Sequence, residues 1–85
     1  MNSSVTPSFR ASFTKLPAPI QALAKKKYKL WQRDPRHPSL HFKKVGEYWS
    51  VRIDDNYRAL GGVQGETIYW FWIVRHDEYL RLIRA

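Results

Sequence analysis

Chemistry in this chain would have to come from its cations and from one histidine. Lys43, Lys44, Arg52 and Arg58 fall in a stretch that alternates apolar and polar residues, where neighbouring strands can bring side chains to one face. Strands lie about 4.8 Å apart, so ammonium and guanidinium groups on that face can close on a single phosphate through charge-assisted hydrogen bonds. Arg58 has the apolar neighbours Tyr57, Ala59 and Leu60, a setting in which an arginine needs a partner; Asp54 and Asp77 are the acidic candidates. His76 follows the most apolar run of the chain and precedes Tyr79 by three residues. Imidazole exchanges protons near neutral pH, which makes His76 the candidate for proton transfer. A solvated sheet face and an exposed or structural histidine are the plainer readings of the same residues.

Other chemistries find no support. His37 and His41 are four apart, but Pro38 between them breaks a shared helical face and no carboxylate completes a ligand set, so neither a metal nor a cofactor is expected. The chain has no cysteine, hence no disulfide and no thiolate site. Gly61-Gly62 with Gly65 is too short for a phosphate-cradling loop, and no Ser-His-Asp arrangement is visible. Lys25, Lys26, Lys27 and Lys29 form a second cationic cluster that reads as a solvated helix face, suited to steering a nucleic acid through its phosphates.

Two kinds of element must position these groups. Thr6 before Pro7 signals a helix from Pro7 to about Lys15, and Met1 to Val5 are a candidate edge strand. A second helix is expected from Pro17–Pro19 to about Arg33, because Ile20, Leu23, Ala24, Leu30 and Trp31 share one stripe. Asp34-Pro35-Arg36-His37-Pro38 ends it. Beyond His41 the period is two: Trp49, Val51 and Ile53 point one way, Tyr48, Ser50 and Arg52 the other. Strands are expected over 42–45, 47–53 and 57–63, joined by turns at Gly46 and Asp54-Asp55-Asn56. Thr67 to Val74 is apolar on both faces and reads as a central strand, and Asp77 should cap a last short helix in which Tyr79, Leu82 and Ile83 share a face.

At 85 residues the chain should hold one α+β domain, residues 1–85, around a small core in which four tryptophans count heavily. A net charge of +8 favours an anionic partner. No apolar run approaches the ~18 residues of a membrane span, and the polar start lacks the marks of a signal peptide, so a cytoplasmic protein without membrane contact is expected.

The order of motifs resembles the RelE/ParE superfamily of toxins from bacterial type II toxin–antitoxin pairs. The resemblance rests on Lys15-Leu16-Pro17, Asp34-Pro35, His37-Pro38-Ser39-Leu40 with Phe42-Lys43-Lys44, Trp49-Ser50-Val51-Arg52-Ile53, Tyr57-Arg58-Ala59-Leu60, and Trp70-Phe71-Trp72-Ile73 with His76-Asp77-Glu78-Tyr79, which together cover nearly the whole chain. It implies two N-terminal helices on a twisted antiparallel sheet of about four strands, with a short C-terminal helix. It also implies an acidic antitoxin that masks the basic face, with DNA met only through the antitoxin complex. Many members cut mRNA on the ribosome and so repress translation; the ParE branch poisons DNA gyrase without enzymatic action; an inactive homologue working only in the antitoxin complex is the third alternative. The first is the favoured expectation. Carried over to this sequence, Arg58 would stabilise charge at the scissile phosphate, Lys43, Lys44 and Arg52 would hold flanking phosphates, and His76 and Tyr79 would exchange protons with the 2′-hydroxyl or the leaving oxygen. Where some nuclease members carry a general-base glutamate, this chain offers His37 or His41, and Val74-Arg75 replaces a Gly-polar pair before the terminal histidine.

Overall fold

Thr6 and Pro7 start the first helix as their chemistry requires. The Thr6 hydroxyl accepts a hydrogen bond from the Phe9 N–H at 3.2 Å, and Pro7 takes the first turn, where its missing N–H costs nothing. In the computed structural model, which describes residues 1–84 apart from the side chain of Ile83, this helix (α1) spans Pro7–Thr14. A second helix (α2) spans Ala18–Arg33 and turns Ala24 and Trp31 into the core, with Ile20, Leu23 and Leu30 packed along the same stripe. Asp34, forced from helical geometry by the proline after it, ends α2 at φ −149°. A 3-10 turn over Pro38–Leu40 follows, in which the His37 ring nitrogen Nδ1 accepts from the Ser39 N–H at 3.2 Å and Leu40 is fully buried.

The strands are β1 (Asn2–Val5), β2 (Lys43–Val45), β3 (Tyr48–Arg52), β4 (Tyr57–Gln64) and β5 (Thr67–Arg75), in the sheet order β1-β5-β4-β3-β2. Strands β2 to β5 form the expected antiparallel meander, turned at Gly46 and Gly65, which hold left-handed φ of +61° and +62°. The expected antiparallel sheet of about four strands is β2 to β5, and the candidate edge strand at Met1 to Val5 forms as β1, a fifth strand whose pairing with β5 is parallel and makes the sheet mixed. The reason is long-range. With β4 on one edge of β5, the other edge is open, and β1 enters it just before α1 packs beside β5, where Ser8 Oγ donates to the Phe71 carbonyl at 2.9 Å. The Asn2 N–H to Glu66 and Thr6 N–H to Trp70 carbonyl bonds close the two ends of this pairing.

Between β4 and β5 the register slips: Leu60 faces Trp72 while Gly61 faces Trp70, so Phe71 is the extra residue of a bulge. The slip changes which residues share a face. Ile68 and Trp70 lie on the α1/α2 side with Ile73, whereas Trp72 and Val74 lie on the other. Gly61 is required at this point, since a Cβ there would meet Trp70 Cε3 and the Tyr69 carbonyl oxygen at 2.9 Å.

Each face of the sheet has its own core. On the α1/α2 side Trp31 meets Trp70 and Phe42 edge-on, with ring centroids 5.5 and 5.7 Å apart, over Val51, Ile53, Ala59 and Ile73. On the opposite side Leu60, Val74 and Tyr79 pack together under the last helix (α3, His76–Arg84). Helix α3 begins directly after β5, so Asp77 lies in its first turn with Glu78 instead of capping it, which still suits the helix dipole. Tyr79 and Leu82 face inward as expected; the side chain of Ile83 lies outside the described residues.

Candidate functional site

The alternation of β3 and β4 turns Arg52 and Arg58 to the α3 side, and the register sets them directly opposite one another. Among the described residues the hydrogen bonds of Arg58 all go to backbone: its Nη1 donates to the Tyr57 carbonyl at 3.0 Å and to the Asp54 carbonyl. Neither expected carboxylate takes it. The Asp54 side chain accepts the Asn56 and Tyr57 N–H groups at 2.8 Å, closing the β3–β4 turn, and Asp77 pairs with Arg81 at 3.9 Å. Nη2 and Nε of Arg58 have no hydrogen-bond partner among the described residues. Arg52, by contrast, forms an ion pair with the exposed Asp55.

Below the Arg58 guanidinium lies the ring of Tyr79, with the guanidinium carbon 5.8 Å from the ring centroid and the tyrosine only 6 % exposed. His76, one turn earlier in α3, is exposed and stacks on Tyr79 with centroids 6.1 Å apart and planes 26° from parallel. The start of α3 is pinned to the same turn, since the His76 N–H donates to the Asn56 carbonyl at 2.8 Å. Burial, and next the facing Arg52 charge, push the pKa of Arg58 below its ordinary value, partly offset by Tyr79, Asp54 and Asp55. Two like charges held face to face, one of them with free donors, make a place that an anion would relieve.

The structure thus gathers Arg52, Arg58, His76 and Tyr79 around one turn and one helix start. Lys43 pairs with Ser50 and shares their face, farther along the sheet. Lys44 pairs with Trp49 and so projects to the α1/α2 side, away from the two arginines. His37 is engaged with the Ser39 N–H and hydroxyl, and His41 is an exposed residue in the left-handed conformation at φ +46°. On α2, Lys25, Lys26 and Lys29 are exposed, while Lys27 donates to Ser39 Oγ at 3.3 Å. Sequence reasoning missed the carbonyls of Asp54, Tyr57 and Asn56 that hold the site, because a main-chain acceptor leaves no mark in residue type. It also missed Asp55 as the partner of Arg52, although a turn of Asp54-Asp55-Asn56 beside a cation is a visible signal.

Among the described residues no group of three or more His, Asp or Glu is placed to hold a metal ion, and no helix is long and apolar enough to cross a membrane.

Comparison with known proteins agrees with this fold. Similar solved structures include the RelB–RelE antitoxin–toxin complex of Methanococcus jannaschii, with TM-score 0.71, 20% identity, and 92% of this chain and 95% of that chain covered. The YoeB/ParE toxin of Agrobacterium tumefaciens gives TM-score 0.68 at 18% identity over 89% of this chain and 99% of that one. The toxin of the intact E. coli RelBE complex gives TM-score 0.62 at 14% identity over 86% and 93%. At these identities the likeness is one of fold. No match was found among curated proteins. A family model described as the ParE-like toxin domain matches residues 18–81, three quarters of the sequence and every element from α2 to the middle of α3. The chain therefore belongs to the ParE-like toxin family, within the RelE/ParE superfamily of toxins.

Proposed function

We propose that this toxin arrests translation by cutting mRNA on the ribosome, and that an acidic antitoxin covers its cationic face until it is released. The observation that carries the reading is Arg58: two carbonyls orient its guanidinium, Arg52 opposes it, its Nη2 and Nε have no hydrogen-bond partner among the described residues, and it shares the Tyr79 ring with His76. In the reaction the ribose 2′-oxygen attacks the adjacent phosphorus, an O2′–P bond forms and the P–O5′ bond breaks, leaving a 2′,3′-cyclic phosphate and a 5′-hydroxyl. The Arg58 N–H groups stabilise the charge that grows on the non-bridging oxygens. His76 exchanges a proton with the 2′-hydroxyl or the leaving oxygen, and Tyr79 positions both groups through its ring while its hydroxyl is the second proton-exchanging candidate. Arg52 and Lys43 hold flanking phosphates; Lys44, on the other face of the sheet, is left out of this set. The net charge of +8 suits both mRNA and an acidic partner, and the RelB–RelE and RelBE structures are complexes of toxin with antitoxin. DNA is met only through such a complex.

A second reading is favoured by the ParE-like character of the family match: a non-enzymatic toxin that acts on DNA gyrase. The two are separated by inducing the chain alone in bacterial cells and following pulse-labelled protein and DNA synthesis, with Arg58→Ala beside it. Early loss of protein synthesis with new mRNA ends, abolished by Arg58→Ala, is the expected result. Early loss of DNA synthesis instead would transfer the protein to the gyrase reading, and loss of neither would leave a homologue active only in its antitoxin complex.

A further inference from the structure

Next to Arg58 the α3 side of the sheet changes from cationic to aromatic. Trp72 faces Leu60, two residues along β4 from Arg58, a distance of roughly 6.6 Å. Its ring adjoins those of Phe71 and Tyr48, with centroids 4.9 Å from Phe71 and 6.1 Å from Tyr48, and Tyr48 lies 5.8 Å from Phe71. Helix α3 covers Leu60 and Val74 but leaves Trp72 38% exposed and Tyr69, farther along β5, 39% exposed. Sheet faces of soluble proteins are ordinarily polar where open or apolar where covered, so an open aromatic cluster bordered by cations calls for an occupant.

We infer that Tyr48, Phe71 and Trp72 form a stacking platform for unpaired bases next to the phosphate held by Arg52 and Arg58. The inference deepens the nuclease reading and rests on it. Two observations choose nucleobases over the apolar side chains of a protein. Both exposed large apolar residues on this face, Tyr69 and Trp72, are aromatic, with flat faces that any base can use. The same face carries Lys43, Arg52 and Arg58, so the aromatic patch is framed by groups that hold a phosphate backbone, in a chain of net charge +8. Gly62 lies under the Phe71 ring, where a Cβ would stand in ordinary contact at 3.6 Å. Stacking of this kind distinguishes unpaired from paired RNA but reads base identity weakly.

The test measures binding of the full chain to a single-stranded oligoribonucleotide of about six nucleotides and to the same backbone made abasic. Wild type should bind the base-bearing strand about tenfold more tightly than the abasic one. Trp72→Leu should lose that ratio, Trp72→Phe should keep most of it, and thermal melting shows that each variant is folded; Tyr48→Leu takes the place of Trp72→Leu if the latter melts early. Equal affinity of wild type for both strands overturns the platform, as does a ratio unchanged in Trp72→Leu. Loss of a co-expressed acidic partner in Trp72→Leu with the ratio intact would make the patch a protein-docking surface, which also overturns it. If the ratio is absent while arrest of protein synthesis still depends on Arg58, the platform fails alone; arrest of DNA synthesis instead removes the nuclease reading and the platform together.

Discussion

Arg58 shows how little of a candidate side chain's setting resides in its own identity. The guanidinium is held by the carbonyls of Asp54 and Tyr57, backed by Tyr79 and faced by Arg52, so its planar fork matters as well as its charge. Arg58→Lys keeps the charge but loses both the anchoring geometry and the free donors. Translation arrest in cells, or cleavage on ribosomes, should fall by about 10²–10³, the usual cost of removing a positioned transition-state donor. Melting should fall by a few degrees, because the ammonium keeps the like charge opposite Arg52, is more strongly hydrated than the guanidinium, and cannot hold both carbonyls with one fork. Retention of full activity in Arg58→Lys would reduce the residue to a point charge.

Among the elements, the β4–β5 ladder decides the most. Its bulge at Phe71 reverses the facing of every later residue of β5, which places Trp72 and Val74 beside Arg58 and Leu60 and delivers His76 to the turn after β3. Gly61 lets the Trp70 ring close over the ladder, and Gly61→Ala brings a methyl group to 2.9 Å from that ring and from the Tyr69 carbonyl. Overpacking at such a site costs about 1–3 kcal/mol. Denaturant unfolding should register that loss, and it should be accompanied by weaker toxicity because the same ladder carries Arg58. A Gly61→Ala variant as stable as wild type would mean that the strands separate there without penalty.

Charge acts through the molecule as a unit. If Lys43, Arg52 and Arg58, which share one face, each hold a phosphate as proposed, log affinity for single-stranded RNA should fall against log salt with a slope of about −2, at about 0.7 per phosphate contact. Arg52→Gln should lower that slope by about 0.7 without changing the ratio between base-bearing and abasic strands. A salt-independent affinity would mean that the cations are spectators. The lysines of α2 lie on another element, and in this account they raise the rate of encounter more than the affinity.

Local signals reached far in this chain. Thr6-Pro7, the apolar stripe of α2, Asp34-Pro35 and the alternation in β3 each act over a few residues, so helix limits, turns and the facing of Arg52 could be read from residue order. The cationic and terminal candidate residues stood out as types for the same reason. Pairing was not. The parallel β1, the bulge at Phe71 and the separation of Lys44 from Lys43 depend on which strand lies beside which, and at what register, and that is settled by contacts between residues far apart in sequence. A strand apolar on both faces carries no sign of where its alternation slips, and a carbonyl that holds an arginine belongs to every residue alike; only the folded arrangement selects the two that do so here.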